Sequence, residues 1–280
     1  MPNILIFGHT GQLGRELLKL VPNAISGSIN GKRVDITDYS EIALLFSQAS
    51  PDIVINSAAF TNVDRCEKER EKAYLVNAIG VRNIVKLCDK YNSKLIQIST
   101  DYVFNGERGN YKEDDIPDPI NYYGYTKSIG DAYALSSDNT IVVRTSGVFG
   151  NANNFPLFVY NRLKAGLEVD VIKGYYSPIH ANLLSKALYV LISKGTHRGI
   201  INIAGQRISR FDLATAIANR FGFDQKLIRE VPDLKEMVAR RPFDSSLDIS
   251  YAKKLIDFDF YTLESNLNSF ERSLKKDGEE

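Results

Sequence analysis

The 280-residue chain contains no tryptophan, only two cysteines and three histidines, and almost no net charge. Cys66 and Cys88 stand far apart with no C-x-x-C spacing and no neighbouring histidine. That excludes a disulfide scaffold and a zinc site, and points to a reducing, cytoplasmic setting. No apolar run approaches the roughly 18–20 residues needed to cross a bilayer, so no membrane partner is expected. The start, Met-Pro-Asn-Ile-Leu-Ile-Phe-Gly, lacks a basic leader, and its apolar run ends in a glycine turn rather than a cleavage site. With 35 Lys+Arg against 34 Asp+Glu, net charge is +1, which argues against a general nucleic-acid binder. What is present, 44% hydrophobic and 25% charged residues, is the composition of an ordinary globular protein able to bury a full core.

Short β-branched apolar runs alternate with helix-period segments over the first 150 residues. The predicted strands are Asn3–Phe7, a weaker Ala24–Gly27, Asp52–Asn56, Lys94–Ile98 and Thr140–Arg144. The predicted helices are Gln12–Leu20, Tyr39–Ala49, Asp64–Tyr91 and Tyr123–Leu135. Continuous apolar strands separated by helices imply a parallel sheet covered on both faces. The expected fold is α/β, with a Rossmann-type doubly wound portion over 1–150. A smaller α+β substrate-binding portion follows over 151–280, parts of it returning to the sheet. In that second portion helices are expected at Pro156–Gly166, Asn182–Lys194 and Phe211–Phe221, and strands at Val169–Ile172, Ile200–Ile203 and Leu227–Val231. Residues 105–120 form a turn-rich loop of the length usual for lids and binding loops, and Lys275–Glu280 reads as a frayed tail.

Gly8-His9-Thr10-Gly11-Gln12-Leu13-Gly14 places three glycines between the first strand and the first helix. Such glycines allow a tight turn and close backbone approach to a pyrophosphate, while the helix start offers N–H groups to the anion. The bare pattern is weak; its position makes it a dinucleotide-binding turn. The weak second strand ends at Ser26-Gly27-Ser28 with no carboxylate for a ribose 2′-hydroxyl, whereas Lys32 and Arg33 could meet a 2′-phosphate. Asp35 is a candidate partner for the adenine amine, and Asp38 reads as a helix cap.

Tyr123 and Lys127 lie one turn apart on a helix face, as do Tyr160 and Lys164. Only the first pair follows the long loop and leads into the last strand of the nucleotide portion. Ser99-Thr100-Asp101 closes the strand Lys94–Ile98, at the sheet edge where ligands of open α/β sheets bind. A free phenol titrates near 10. An ammonium about 5 Å away at an effective dielectric of about 20 would favour phenolate by roughly 3 kcal/mol. Thr100 can then hold a substrate oxygen while Tyr123 exchanges its proton.

With these residues the chain resembles the extended short-chain dehydrogenase/reductases, in the dTDP-4-dehydrorhamnose reductase branch. The resemblance spans nearly the whole chain. It includes the glycine turn, Val34-Asp-Ile-Thr-Asp38, Pro51-Asp-Ile-Val-Ile-Asn56 and Ala58-Ala-Phe-Thr-Asn-Val-Asp64. It continues through Asn77, Ser99-Thr-Asp-Tyr-Val-Phe104, Tyr123-Gly-x-x-Lys127, Arg144-Thr-Ser146, Asn154-Phe155 and Arg241-Pro-x-x-Ser-x-Leu247. It implies NADPH-dependent reduction of a dTDP-linked 4-keto-6-deoxyhexose, with NADH often accepted, and is compatible with a homodimer. The catalytic roles fall to Thr100, Tyr123 and Lys127. Cofactor contacts fall to Gly8, Thr10, Gly11, Gln12, Leu13, Gly14, Asp35, Ile36, Ala58, Ala59, Thr61, Ser99, Tyr123 and Lys127. Substrate contacts fall to Asp101, Val103, Asn154 and Arg241, the last by its guanidinium fork on a diphosphate or, equally, as a surface ion pair.

Two departures from the branch and one contrast with dehydratases stand out. Gly147 occupies a position where relatives carry tryptophan beside the sugar, which leaves the particular sugar open. Asn182 stands where some relatives offer a second metal carboxylate beside the position of Glu16, so no metal is expected. Asp101 is followed by Tyr102 where a dehydratase has Asp-Glu, which disfavours water elimination. The alternatives are another nucleotide-sugar epimerase or reductase of the superfamily, or a regulatory subunit like the β subunit of methionine adenosyltransferase. His180 reads as a surface-loop histidine, and Asn77 as a brace on neighbouring backbone.

Overall fold

The computed structural model describes residues 2–195, 197–232 and 237–276. Its centre is a six-stranded, wholly parallel sheet of β1 (Ile4–Phe7), β2 (Ile25–Ser26), β3 (Ile53–Asn56), β4 (Lys94–Ile98), β5 (Thr140–Arg144) and β6 (Gly199–Asn202). In space the order is β6-β5-β4-β3-β1-β2. The direction of winding reverses between β1 and β3, so a crevice opens beyond their carboxyl ends.

Strand alternation sends successive side chains to opposite faces. Ile4 and Ile6 of β1, Ile53 and Ile55 of β3, and Ile141 and Val143 of β5 join one apolar cluster, together with Leu13 and Leu17 of α1 (Gln12–Leu20). Leu5 and Phe7, Val54 and Val142 point the other way, into a second cluster with α2 (Tyr39–Ala49) and α3 (Gly80–Tyr91). Both faces are dry, as the uninterrupted apolar strands require. A third cluster belongs to the chain after residue 150. It joins α4 (Phe155–Lys164), the strand Val169–Ile172 and α5 (Arg210–Phe221) through Val159, Leu163, Val171, Leu213 and Ile217.

Several expectations need correction. The single helix expected at Asp64–Tyr91 is broken into Val63–Lys68, Arg70–Tyr74, a π-helical turn at Leu75–Ile79 and α3. At the π turn, buried Asn77 accepts from Phe60 N–H at 2.8 Å and donates to Phe60 C=O and Thr126 Oγ1, each at 3.1 Å. It is a backbone brace, as its position suggested. The strand expected at Ile200–Ile203 is β6 of the main sheet, starting one residue earlier.

The loop 105–120 is not a lid. Tyr111 stacks on Phe104 at 4.2 Å, and Asn110 N–H donates to Ser246 Oγ at 2.8 Å, so the loop clamps the 244–248 segment. His180 is buried rather than on the surface. It caps the helix Ala181–Lys194 through Nδ1, and burial pushes its pKa down to about 4. The helix Leu263–Lys276 takes in the first residues of the expected tail, and 277–280 lie outside the described residues.

Candidate active site

The turn after β1 is built to leave room for an anion. Gly8 has φ +75°, and a Cβ there would lie 2.5 Å from Ala58 N. A Cβ on Gly14 would lie 2.3 Å from Gly8 O, so α1 starts in backbone contact with the turn. Gly11 caps α1 without a side-chain acceptor, and no acidic residue occupies the first turn. The N–H groups at this helix start are therefore available to a diphosphate, with the positive end of the helix dipole behind them. This cradle fits a dinucleotide cofactor.

From the turn a cleft of about 620 Å³ runs over the carboxyl ends of β4 and β5. Gly8, Gly11, Gln12, Leu13, Gly14, Ala59 and Thr61 line one end. Ser99, Thr100, Asp101, Tyr123 and Lys127 line the middle, and Asn154 the opposite wall. Asn154 Nδ2 donates to Gln12 Oε1 at 3.0 Å, and its Oδ1 caps α4 through Leu157 N–H at 2.9 Å. It is a clasp across the cleft mouth.

Thr100 follows β4 and Tyr123 lies in the first turn of the helix Tyr122–Leu135, whose cap is Asn121. Thr100 lies near enough to Tyr123 for its hydroxyl to act on the phenol, and the Tyr123 ring meets Tyr102 edge-on at 6.0 Å. Thr100 Oγ1 also donates to Asp101 at 3.2 Å and accepts from Tyr102 N–H at 3.2 Å, which fixes its direction. Lys127 Nζ donates to Ile98 C=O at 2.7 Å.

The expected lowering of the phenol pKa by Lys127 is absent. Burial of the hydroxyl raises it above the ordinary tyrosine value, the Thr100 hydrogen bond opposing. Burial also pushes the Lys127 ammonium down, and the Asp131 carboxylate one turn further along opposes that. Spacing on a helix brought the two side chains together; it did not give the direction in which the ammonium points. The phenol is thus neutral and carries its proton. Asp131, which accepts from Ser99 Oγ at 2.6 Å and faces Arg144 at 3.9 Å, was missed, although it follows Lys127 at i+4.

Other expected residues lie elsewhere. Val103 is fully buried in the first apolar cluster, which removes its side chain from substrate contact. Arg241 is paired with Asp64 (Nη2–Oδ2 2.7 Å) and donates to Ala239 C=O at 2.8 Å. Of its two readings the ion pair holds, and the diphosphate fork does not. Asp101 is a buried bracket: Ser146 Oγ donates to it at 2.7 Å, and Ser245 Oγ does so too. Thr10 is exposed with its carbonyl accepting from Arg15 Nε, and Ala58 N–H donates to Asn56 Oδ1. Asp35 is exposed and uses Oδ1 to hold Thr37, Ile36 is buried in the second cluster, and Asp38 caps α2. Thr145, the middle residue of Arg144-Thr-Ser146, lines the cleft together with Tyr176 and Arg210, which carry no sequence motif.

At the ribose end Ser26 and Ser28 hydroxyls meet at 2.7 Å, and the exposed Arg33 lies near enough for its charge to act on His9 in the turn, after burial the second cause of a lowered imidazole pKa. Ser28→Asp is expected to shift preference from NADPH toward NADH, by repelling a 2′-phosphate and accepting from a 2′-hydroxyl. Wild-type preference for NADH by more than about tenfold in KM would contradict this. Near α1, Glu16 Oε2 accepts from Asn182 Nδ2 at 3.0 Å and Glu16 Oε1 from Lys19 at 2.7 Å. With that carboxylate occupied, activity is expected to survive exhaustive EDTA treatment; a loss restored by Mg²⁺ would overturn the expectation.

Comparison with known proteins agrees with this geometry. Residues 2–275 match the family described as RmlD substrate binding domain. The dTDP-4-dehydrorhamnose reductase of Aggregatibacter actinomycetemcomitans is 34% identical over 272 residues, covering 89% of this chain and 92% of that protein. The crystal structure of a hypothetical dTDP-4-dehydrorhamnose reductase from Sulfolobus tokodaii superposes with a TM-score of 0.88 at 46% identity, covering 93% of this chain and 97% of that one. A dTDP-4-dehydrorhamnose reductase from Bacillus anthracis, solved in complex with NADP, gives a TM-score of 0.88 at 29% identity and covers 97% of this chain and 99% of its own. A glycine cradle, a cleft lined by Thr100, Tyr123 and Lys127 and a match across nearly the full length together place the chain in the RmlD family, the dTDP-4-dehydrorhamnose reductase branch of the extended short-chain dehydrogenase/reductases.

Proposed function

We infer that this chain is an NADPH-dependent oxidoreductase that reduces the 4-keto group of dTDP-4-dehydrorhamnose to the alcohol. The observation that carries the reading is the convergence of Thr100, Tyr123 and Lys127 on one cleft that begins at the phosphate turn. When bound, NADPH supplies the hydride to the carbonyl carbon. Gly8, Gly11, Gln12, Leu13 and Gly14 would hold its diphosphate, and Lys127 is placed to serve a ribose hydroxyl. As negative charge grows on the carbonyl oxygen, Thr100 holds that oxygen by a hydrogen bond and Tyr123 delivers its phenolic proton to it. Lys127 lines the same cleft with its ammonium held on Ile98 C=O, so its part is to hold the cofactor rather than to tune the phenol. Asp101 is fully engaged by hydroxyl donors, so it is not free to act as the acid of a dehydratase.

Residues 1–150 are proposed to hold the cofactor and residues 151–280 the substrate, apart from β6. The separate apolar cluster of α4 and α5 supports this division. The test is oxidation of NADPH by the purified protein in the presence of dTDP-4-dehydrorhamnose, with dTDP-rhamnose identified as product. No turnover of this or any related 4-keto sugar would refute the reading.

A further inference from the structure

Three residues that line the cleft each carry a buried polar side-chain atom without a hydrogen-bond partner among the described residues: Arg210 Nη1, Tyr176 Oη and Thr145 Oγ1. Their residues are only 9%, 6% and 4% exposed. A buried polar group left unsatisfied destabilises the fold, so such atoms are rare and need a reason. Three of them converging on one cleft indicate a ligand.

They come from three separate segments. Thr145 follows β5, and its carbonyl accepts from Asp101 N–H at 2.9 Å, which sets it beside Thr100. The Tyr176 ring lies over Gly147, where a Cβ would come within 2.7 Å of Tyr176 Cε2. Gly147, at φ +47°, thus gives the ring its place in the wall. Arg210 opens α5 and lays its guanidinium on the Tyr176 ring, 4.8 Å from the centroid. No carboxylate among the described residues pairs with it within 4.0 Å; Asp101, wrapped in serine and threonine hydroxyls, is close enough to feel its charge.

The chemistry of this set selects among ligand groups. Arg210 is a single cation beside two neutral hydroxyl groups, so the patch is not the cluster of cations that a dianion calls for. Arg210 offers fixed donors, Tyr176 and Thr145 each donate or accept, and the Tyr176 ring supplies a flat apolar surface. Neighbouring hydroxyls on a ring match that arrangement. Resting on the function inferred above, we propose that Arg210, Tyr176 and Thr145 form the site that reads the ring hydroxyls of the hexose, and so determine which keto sugar is accepted.

The test separates the sugar from the nucleotide. Affinities of the NADP⁺-loaded protein for dTDP and for dTDP-rhamnose are measured by calorimetry, and their ratio is the gain contributed by the sugar. In the wild type the sugar nucleotide should bind more tightly than dTDP. Arg210→Gln should leave dTDP affinity unchanged and remove about tenfold or more of that gain; Tyr176→Phe and Thr145→Val should each remove about three- to tenfold. NADP⁺ affinity reports whether each variant is folded. If Arg210→Gln does not fold, Tyr176→Phe, which keeps the ring, decides. Equal weakening of dTDP and dTDP-rhamnose would make Arg210 a diphosphate contact and overturn the proposal. An unchanged gain in the variants would overturn it while leaving the reductase reading intact. Absence of any sugar gain in the wild type would likewise overturn it, while the reductase reading stands or falls on the turnover assay.

Discussion

Tyr123→Phe should lower kcat by about 10²–10⁴-fold, the usual worth of a positioned general acid, while NADPH affinity stays at the wild-type level. The substitution keeps the ring and its edge-on contact with Tyr102, so the wall of the cleft is preserved. It removes only the phenolic hydroxyl, the group on which Thr100 acts. The pH dependence of reduction follows from the sign of the phenol's shift. Burial favours the neutral form and raises the pKa above the ordinary value near 10. A proton donor must be protonated to act, so the donor stays competent from neutrality into the alkaline range. The reductive kcat should show no fall from Tyr123 below about pH 10. Lys127→Ala should lower both kcat and cofactor affinity, because its ammonium lies against the end of β4 in the wall of the cleft. Tyr160→Phe is the internal control. Tyr160 packs among Phe221, Phe223 and Phe270, remote from the cleft, with Lys164 over its ring, and loss of its hydroxyl should leave kcat unchanged. Full activity of Tyr123→Phe on an accepted keto sugar would show that the proton comes from elsewhere.

The contrast between the two Tyr-x-x-x-Lys pairs shows how far the sequence could be read. β4 and β5 have the bounds that their apolar runs predict, because a strand buried on both faces leaves an unbroken signal. The glycine turn was legible for a similar reason: close backbone approaches at Gly8 and Gly14 admit no other residue. Properties that depend on direction rather than spacing were not legible. Helix periodicity put Lys127 one turn from Tyr123, yet its Nζ turns to Ile98 C=O, and desolvation decides the state of the phenol. The substrate wall was illegible for a topological reason. Thr145, Tyr176 and Arg210 sit on segments far apart in sequence, and Tyr176 and Arg210 look like ordinary core or surface residues in their local windows. The two readings of Arg241 could not be separated for the same reason, since only the folded chain brings Asp64 to it. The π turn at Leu75–Ile79 arises from tertiary contacts of Asn77 that no helical propensity encodes.

Gly14→Ala should weaken NADPH binding by about 100-fold or more, equivalent to about 2.7 kcal/mol, and lower Tm as well. The added Cβ would sit 2.3 Å from Gly8 O and 2.5 Å from His9 Cα. Both obstacles are backbone atoms, so no rotamer change relieves the clash and the turn itself must open. Gly8 cannot retreat, because its own position is fixed against Ala58 N and Ser57 C at the end of β3. Opening the turn carries the first N–H groups of α1 away from the diphosphate, and a displacement of that kind disables a site made of backbone donors. Gly11→Ala provides the graded comparison. Its Cβ would meet only Gly8 O, at 3.2 Å, a contact that a few tenths of an ångström relieve, so its effect on NADPH affinity should be much smaller. Gly31→Ala separates stability from binding. At φ +77° with nothing within 4 Å, it incurs backbone strain of about 1 kcal/mol without touching the turn. Titration of NADPH by fluorescence, alongside thermal melts, should therefore rank affinity loss as Gly14 far above Gly11, with Gly31 losing stability alone. If Gly14→Ala bound NADPH as the wild type does, the diphosphate would have to lie elsewhere than on this helix start.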